Sequence, residues 1–364
     1  AGSLRNATES GSSPNAVPVT DILELCMQDK SMEIFGRLYP ADILLERYLR
    51  RLIRLLKEKT GAERIRGIVV TVKDDTPILR KNILAAFELI GYSCDSVRII
   101  SHLESFMHYV VSQNCDIWIN DVGLFDFDAE GFVFYRLSFG RKQKPVNVVA
   151  EKTDLTDSFN YDILLNGDHE KLIGAFENTV CLMLHKQIFS ALYFTGQGFE
   201  STWADESLKK LCTGRRIFRG QNLYVRGAGH AAQLIFNGGL DEYRFISDNV
   251  LRSSICIRAY TGGHYEEIPV ANIGDPFRTS SARIEVIMDK SNELDFIVHN
   301  VLKKDFICAI MTLETLRIRN DRTTRLDVRI RFPERDTCVI TVRDIGFGEI
   351  YETDHKIWEQ VLKI

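Results

Sequence analysis

The sequence predicts an α/β protein followed by an antiparallel β-sandwich, and two observations on the spacing of apolar residues indicate this fold class. Between about residue 39 and residue 250, stretches with the helical spacing of apolar residues alternate with short runs of β-branched residues, as in an α/β layer. From about residue 250 the helical spacing disappears, and short alternating stretches separated by glycine and proline turns replace it. Over 326–332, Val328, Ile330 and Phe332 alternate with charged residues, which predicts a strand with one dry face.

The first part of the chain is predicted to be a lead-in followed by alternating helices and strands. Residues 1–18 are rich in Ser, Asn, Gly and Ala, and we expect them to form a flexible lead-in. Gly61 and Gly91 each end a predicted helix. Apolar spacing predicts helices over 39–59, 77–90 and 103–113, and β-branched runs predict strands over 68–72 and 97–100.

The middle of the chain begins with a predicted hairpin. Two strands, over 122–127 and 131–137, are joined by a tight turn over 128–131. The polar stretch 140–170 is interpreted as a small insertion. After it we expect helices over 178–190 and 203–212, a strand over 191–195 that ends at a glycine turn, and a helix of small residues that opens at Gly227.

Composition excludes several classes of protein. The net charge is −4 at pH 7, so no basic field indicates a nucleic-acid partner. No apolar run reaches the length that spans a membrane. The eight cysteines include no C-x-x-C pair, which argues against a zinc or redox motif and favours buried thiols in a reducing cytoplasm. The chain begins with Ala1 rather than methionine, and we expect the natural protein to extend further upstream.

The order of these elements resembles the superfamily of actins, seventy-kilodalton heat-shock chaperones and sugar kinases. The strand at 68–73, the alanine-containing helix at 81–87 and the strand that leads into Glu104 at 99–105 are similar to consecutive elements of that superfamily. The helix at 224–232 resembles its closing helix, and the strand at 339–349 resembles part of a chaperone's peptide-binding sandwich. The nearest resemblance of the whole chain is to an uncharacterised bacterial family with this chaperone-like layout.

The resemblance implies an actin-like, ribonuclease H-like ATPase core in front of the sandwich. This core is expected to be N-terminally incomplete, because the Asp-x-Gly turn of the first phosphate hairpin does not occur in residues 1–38. The division that follows is a lead-in over 1–18, a partial subdomain I over 19–117, a subdomain II over 118–250, a sandwich resembling a chaperone peptide-binding module over 251–350, and a C-terminal helix or tail over 351–364.

The resemblance also implies a cleft for ATP or ADP with Mg²⁺. Residues 124–131 match the second phosphate hairpin, where Asp126 takes the place of the carboxylate that holds magnesium and is a candidate catalytic residue. The turn at 196–198 matches the adenosine side of the cleft. The nucleotide-binding residues implied in this way are Asp126, Asp128, Gly131, Gly196, Gln197 and Gly198.

One departure from the superfamily pattern bears on activity. The glycines expected in the second phosphate hairpin are replaced by Asp128, Ala129 and Glu130. A glycine turn lets bare amides approach a phosphate, whereas two additional carboxylates repel a triphosphate at close range. We therefore expect a degenerate hairpin without ordinary ATP hydrolysis.

Three further groups are candidate site residues, each with an alternative. Glu104 is a candidate to position a hydrolytic water, and the alternative is a favourable charge at a helix N-terminus. Arg215 and Arg216, with Arg219, are candidates to clamp an anionic ligand near the glycine turn, and the alternative is a solvated basic loop. The arginines of 317–331 are candidates to bind an acidic partner, and the alternative is an exposed sheet face balanced by Glu314, Asp321, Asp327 and Glu334.

These patterns lead to one main hypothesis and two rivals. The main hypothesis is a cytoplasmic pseudo-ATPase of actin-like and chaperone-like layout that serves as a scaffold or binds a protein or peptide client through the sandwich. The first rival is an active ATPase in the full-length protein, with Asp126 on the magnesium side and Gly196 and Gly198 at the nucleoside. The second rival is a filament-forming or filament-anchoring relative of bacterial actins.

Overall fold

A computed structural model describes residues 17–141, 144–166, 169–302, 305–319 and 322–364. The chain divides into two compact units. The described part of unit 1 comprises residues 17–112 and Asn222–Gly239, and unit 2 comprises Gln113–Gln221 and Leu240–Ile364. The predicted lead-in over 1–18 lies outside the described residues up to residue 16. In the described ranges no helix is both long and apolar enough to cross a membrane.

Unit 1 is built around two parallel strands with helices packed on them. The strands β3 and β4 pair in parallel over five residues each. The unit contains α1 (Ile22–Gln28), β1 (Ser31–Ile34), β2 (Arg37–Pro40), α2 (Ala41–Thr60), β3 (Ile68–Val72), α3 (Pro77–Ile90), β4 (Val97–Ser101), α4 (His102–Val111) and α8 (Leu223–Asn237). The predicted helices and strands between residues 39 and 113 are confirmed, whereas α1 and the β1–β2 hairpin were not predicted.

Local sequence explains where the helices of unit 1 begin and end. Thr76 accepts a hydrogen bond from the Leu79 amide at the start of α3, and Pro77 occupies the first turn, where no amide is needed. Gly61 and Gly91 end α2 and α3 in the left-handed conformation that glycine adopts without strain. The predicted segment 118–250 included the helix that opens at Gly227, but this helix, α8, packs on α4 and β3 within unit 1.

Close packing explains the small residues of α8. A Cβ atom added to Gly227 would lie 1.9 Å from the backbone oxygen of Ser105 on α4. Only glycine allows the two helix backbones to approach this closely. Gly227 is therefore required by helix packing inside unit 1.

The first half of unit 2 is a six-stranded sheet in the order β10-β7-β6-β5-β8-β9. Only β6 is antiparallel to its neighbours, and the other five strands run in one direction. The elements are β5 (Asp121–Asp128), β6 (Gly131–Gly140), β7 (Val146–Asp154), α5 (Tyr161–Asn166), α6 (His169–Leu184), β8 (Phe189–Thr195), α7 (Asp205–Leu211), β9 (Arg216–Arg219) and β10 (Tyr243–Ile246).

An aromatic core lies against this sheet. Phe125, Phe127 and Phe132 on the predicted hairpin pack with Phe176 on α6 and with Phe199 after β8. Each of these five side chains is fully buried, so they are core residues. The predicted hairpin strands and the strand over 191–195 are confirmed.

Two expectations about the middle of the chain are wrong. The helix expected over 178–190 begins earlier, as α6, and ends at Leu184, because the apolar run from Phe189 onward pairs in the sheet as β8. The stretch 140–170, interpreted as an insertion, contains β7, which pairs with β6 along eight residues. Polar residues at the exposed end of β7 hide the strand in the sequence.

The second half of unit 2 consists of two four-stranded antiparallel sheets. Their orders are β12-β11-β14-β15 and β13-β16-β17-β18. One hydrophobic core takes residues from both sheets, with Ile257 and Phe296 from the first and Val328 and Ile340 from the second, so the sheets form a β-sandwich. The strands are β11 (Ser253–Thr261), β12 (His264–Ala271), β13 (Ser281–Met288), β14 (Glu293–Asn300), β15 (Phe306–Thr312), β16 (Thr324–Glu334), β17 (Thr337–Asp344) and β18 (Ile357–Lys363).

One further expectation, which concerns the end of the chain, differs from the structure. Residues 351–364 were expected to form a helix or tail, but Ile357–Lys363 is β18, paired antiparallel with β17. Trp358 and Leu362 contact the sandwich core from this strand. The strand is hard to recognise in the sequence, because as an edge strand it also exposes apolar side chains, Ile357 and Val361.

Candidate functional site

Three parallel strands of unit 2 end at the same edge of the six-stranded sheet. They are β5, β8 and β9, and we call the residues at their carboxyl ends the carboxyl edge. In sheets of this kind, ligands bind outside the carboxyl ends of the strands. Asp126 and Thr195 are paired in register there, and the chain continues from these strands into the turns at 128–131, 196–198 and 219–221.

In the turn between β5 and β6, the side chain of Asp128 is hydrogen-bonded to the backbone of the turn itself. One carboxylate oxygen of Asp128, Oδ1, accepts hydrogen bonds from the amides of Glu130 and Gly131, at 2.8 and 3.2 Å. In a phosphate-binding hairpin such amides are the groups that point at the anion. In this turn both amides are already bonded to the Asp128 carboxylate.

Asp126 is half-buried on β5, and its neighbour Phe127, on the opposite face of the strand, belongs to the aromatic core. Asp126 was the residue predicted to hold magnesium. Within the described ranges, it is not among the groups of three or more side chains whose ligand atoms lie close enough to share one metal ion.

The glycine turn after β8 packs directly on Phe127. A Cβ atom added to Gly196 would lie 2.2 Å from the backbone oxygen of Phe127, and one added to Gly198 would lie 2.0 Å from its ring. Gly196 also has a φ angle of +96°, which strains any other residue. Both glycines are thus required by packing, whereas Gln197 between them is exposed.

The carbonyl groups of this turn are also satisfied. The Gln221 side-chain amide donates to the Gly196 oxygen at 2.9 Å, and the Trp203 indole donates to the Gly198 oxygen at 2.7 Å. The Thr195 hydroxyl donates to the Gly220 oxygen at 2.8 Å. The carboxyl edge is therefore a hydrogen-bonded unit. The sequence did not reveal Thr195, Trp203 or Gln221, because no motif spacing connects them.

A second polar cluster supports the start of β6. The Thr156 hydroxyl accepts a hydrogen bond from the Phe132 amide and donates one to Asp154. The hydroxyl and the backbone amide of Thr156 hold the pKa of the Asp154 carboxyl below its usual range. Because a Cβ atom on Gly131 would lie 2.5 Å from the Thr156 hydroxyl, this glycine too has a packing role.

The structure separates the predicted arginines from the glycine turn. Arg216 is the first residue of β9 and pairs in register with Ala191, at the amino end of β8. Its guanidinium lies 3.8 Å from the Asp116 carboxylate. Arg215 precedes it, so the register places Arg215 and Arg216 at the end of β9 away from Gly196. Of the three arginines, Arg219 lies at the carboxyl edge, where it pairs with Asp205.

Glu104 lies in unit 1 and caps a helix. Its carboxylate accepts a hydrogen bond from the Ser101 amide at 3.2 Å, and the Ser101 hydroxyl accepts one from the Glu104 amide at 3.1 Å. This reciprocal pair is a capping box at the start of α4. The geometry favours the structural alternative for Glu104 over the positioning of a water molecule.

Five arginines of 317–331 form ion pairs within unit 2. Asp327 is buried between two guanidinium groups, which hold the pKa of its carboxyl below its usual range against the effect of burial. Asp321, one of the acids expected to balance this region, lies outside the described residues. The pairs are Arg319 with Asp344, Arg322 with Asp289, Arg325 with Glu285, Arg329 with Asp327 and Arg331 with Glu359, which favours a charge-balanced sheet face over a docking site for an acidic partner.

The four edge strands of the sandwich differ in charge. Edges of natural sheets carry charged residues that prevent pairing with other chains. In this sandwich β12, β13 and β18 each contain at least one acidic residue, whereas β15, Phe-Ile-Cys-Ala-Ile-Met-Thr, contains no charged residue. Phe306 and Ile310 on β15 are 60% and 52% exposed, and Ile307 is 46% exposed. We call this strand the β15 edge.

Comparison with known proteins identifies families but no activity. The model of a family of unknown function, DUF5716 C-terminal, matches residues 5–248, and the chain belongs to this family. The model of a domain of unknown function, DUF8552, matches residues 250–364, which comprise the sandwich. No curated protein matches the chain.

Proposed function

We propose that this protein is a nucleotide-independent scaffold with an actin-like and chaperone-like layout, and that its β15 edge holds extended apolar segments of partner proteins. The observation that supports independence from nucleotide is that Asp128 is hydrogen-bonded to the backbone amides of its own turn. The observation that carries the second half is the uncharged, apolar β15 edge.

The sheet order supports the actin-like part of the proposal. Numbered from β5, the first five strands of the six-stranded sheet have the order 3-2-1-4-5 with only the second strand antiparallel, which is the arrangement of ribonuclease H-like folds. The chain also leaves unit 1 after Ser112 and returns to it for α8, the helix that resembles the closing helix of the superfamily.

The chemistry of the carboxyl edge argues against ATP hydrolysis. The Glu130 and Gly131 amides are bonded to Asp128, so a phosphate would have to displace a carboxylate that is already in place. The Glu130 side chain brings a further negative charge to the same exposed turn. Both effects disfavour a triphosphate by Coulomb repulsion.

The β15 edge fits an extended peptide. An added strand would hydrogen-bond to the free backbone groups of the edge, while Phe306 and Ile310 on one face would contact alternate side chains of the peptide. The absence of charge on β15 favours apolar over acidic or basic segments. All eight cysteines are free thiols, which fits the cytoplasmic location that we propose.

A binding experiment tests the second half of the proposal. A fluorescently labelled heptapeptide of alternating Leu and Thr is titrated with the full-length protein, and its anisotropy is measured. We expect saturable binding, and Ile310→Lys should weaken it about tenfold or more, since a charge would replace an apolar contact of about 1.4 kcal/mol.

The matched control is Val361→Lys on β18, because Val361 is 59% exposed on an edge strand of the other sheet. This variant should bind the peptide like the wild type. Equal loss of binding in both variants, or saturable binding that neither changes, would show that the β15 edge is not the binding surface.

One observation favours the rival function, an active ATPase. Asp126 lies half-buried in register with Thr195 at the carboxyl edge, where the superfamily holds magnesium. Metal-dependent release of phosphate from ATP by the full-length protein, lost in Asp126→Ala, would support this rival.

A further inference from the structure

Three side chains with different metal-binding atoms converge on the first sheet of the sandwich. They are Cys256 on β11, Glu267 on β12 and His299 on β14. The thiol sulfur, a carboxylate oxygen and an imidazole nitrogen all lie within 4.8 Å of one another. The Nε2 atom of His299 lies 3.0 Å from the Glu267 carboxylate.

The strand register brings these residues together. Cys256 on the central strand β11 faces Pro269 on one side and Ile297 on the other. Glu267 lies two residues before Pro269, and His299 lies two residues after Ile297, so both belong to the same face of the sheet as Cys256. They are its diagonal neighbours, and diagonal neighbours on one face are close enough for their side chains to meet.

Two details hold the cluster in place. The pairing of β11 with β12 shifts by one residue between Ile255 and Cys256, and an irregularity of this kind re-aims the neighbouring side chains. The ring of Phe306 packs 5.8 Å from the ring of His299 and limits its orientation. Both details restrict the orientation of the side chains that form the cluster.

The set of ligands selects the kind of metal. A thiolate, an imidazole and a carboxylate are the ligands of Zn²⁺, whereas Mg²⁺ and Ca²⁺ require oxygen ligands. Three protein ligands leave a fourth tetrahedral position open. Cys256 is buried, Glu267 is exposed and His299 is intermediate, so one side of the cluster is closed by protein and the other is open to solvent.

We propose that Cys256, Glu267 and His299 form a Zn²⁺ site on the outer face of the sandwich, with one coordination position open to solvent. Binding releases the thiol proton and places a thiolate–zinc bond over the centre of the sheet. The site is independent of the carboxyl edge and of nucleotide. A plain ion pair between Glu267 and His299 is the alternative, and it predicts no stoichiometric metal.

Cobalt substitution tests the site directly. The full-length protein is stripped with a chelator and titrated with Co²⁺, whose absorption spectrum reports tetrahedral geometry and thiolate ligation, and Zn²⁺ is then added in competition. We expect one equivalent of Co²⁺ with a thiolate charge-transfer band, displaced by one equivalent of Zn²⁺. Cys256→Ala should abolish the band, and His299→Ala should weaken binding by roughly 100-fold or more.

The control is Cys308→Ala, which removes an exposed thiol from β15 that is paired in register with Ile297 of β14. This variant should keep the band and the affinity. His299→Ala provides a second measurement if Cys256→Ala does not fold. Failure of the wild type to bind either ion stoichiometrically, or a thiolate band that persists in Cys256→Ala and is lost in Cys308→Ala, would overturn the proposal.

Discussion

Replacement of Gly196 by alanine should destabilise unit 2 more than replacement of a glycine whose added Cβ atom would meet open space. The backbone at Gly196, with φ +96° and ψ 163°, lies in a region that is essentially confined to glycine, and it costs a residue with a Cβ atom about 1–3 kcal/mol. The new Cβ atom would also lie 2.2 Å from the Phe127 oxygen and 2.8 Å from the Phe127 nitrogen, and because these are backbone atoms, the clash is relieved only if the strand moves. Overpacking of this kind adds about 1–3 kcal/mol.

Gly214→Ala is the matched control. Gly214 also has a positive φ angle, +77°, but no atom lies within 4 Å of the added Cβ position, so its replacement adds no steric clash to the conformational cost. The clash with Phe127 should make Gly196→Ala the less stable variant by at least about 1–3 kcal/mol. Urea unfolding followed by tryptophan fluorescence measures this difference, because the Trp203 indole is bonded to the same turn. Equal unfolding midpoints for Gly196→Ala and Gly214→Ala would refute the packing role of the turn.

A suppressor experiment distinguishes side-chain from backbone contact in the same turn. At Gly198 the added Cβ atom would overlap the Phe127 ring, at 2.0 Å, rather than its backbone. Phe127→Leu should therefore recover part of the stability lost in Gly198→Ala but none of that lost in Gly196→Ala. A double-mutant cycle for each pair measures the coupling, and equal coupling at both glycines would contradict the geometry.

Three further predictions concern the sandwich, unit 1 and the carboxyl edge. Asp344→Asn should cost about 3–5 kcal/mol of sandwich stability, measured by urea unfolding, because it leaves the Arg319 guanidinium buried without its bidentate partner. Burial and His230 lower the pKa of His108 to about 4 from 6.5, so stability should fall as the pH drops through this range, by up to about 3 kcal/mol, and His108→Gln should flatten the pH dependence of the unfolding midpoint. Trp203→Phe removes the hydrogen bond to Gly198 and should cost about 1 kcal/mol in thermal unfolding.

Local patterns in the sequence predicted much of the fold. Strands such as 68–72 are runs of β-branched residues, and helices such as 77–90 end at glycines in the left-handed conformation, so both signals are contained in a few neighbouring residues. The hairpin over 122–137 carries a turn sequence between two apolar strands. The strands β7 and β18 were not predicted, because they are recognisable only from their pairing with neighbouring strands. Polar residues at the end of β7 and exposed apolar residues on the edge strand β18 interrupt the alternation of apolar and polar side chains.

The candidate sites were less accessible from the sequence because they depend on strand direction and register. Arg216 and Arg219 are three residues apart, yet they lie at opposite ends of β9, and only Arg219 reaches the carboxyl edge. Cys256, Glu267 and His299 are spread over 44 positions and match no linear metal motif. The absence of a C-x-x-C pair argued against a zinc motif, but a site assembled across three strands leaves no such signature.

The central claim is that this protein does not bind nucleotide. The most direct test is isothermal titration calorimetry, in which ATP and ADP, each with Mg²⁺, are titrated into the full-length protein. The closed turn at Asp128 and the packed turn at Gly196 and Gly198 predict no binding heat and no shift in melting temperature at millimolar nucleotide. Micromolar binding that Asp126→Ala abolishes would contradict the claim and establish a working nucleotide site at the carboxyl edge.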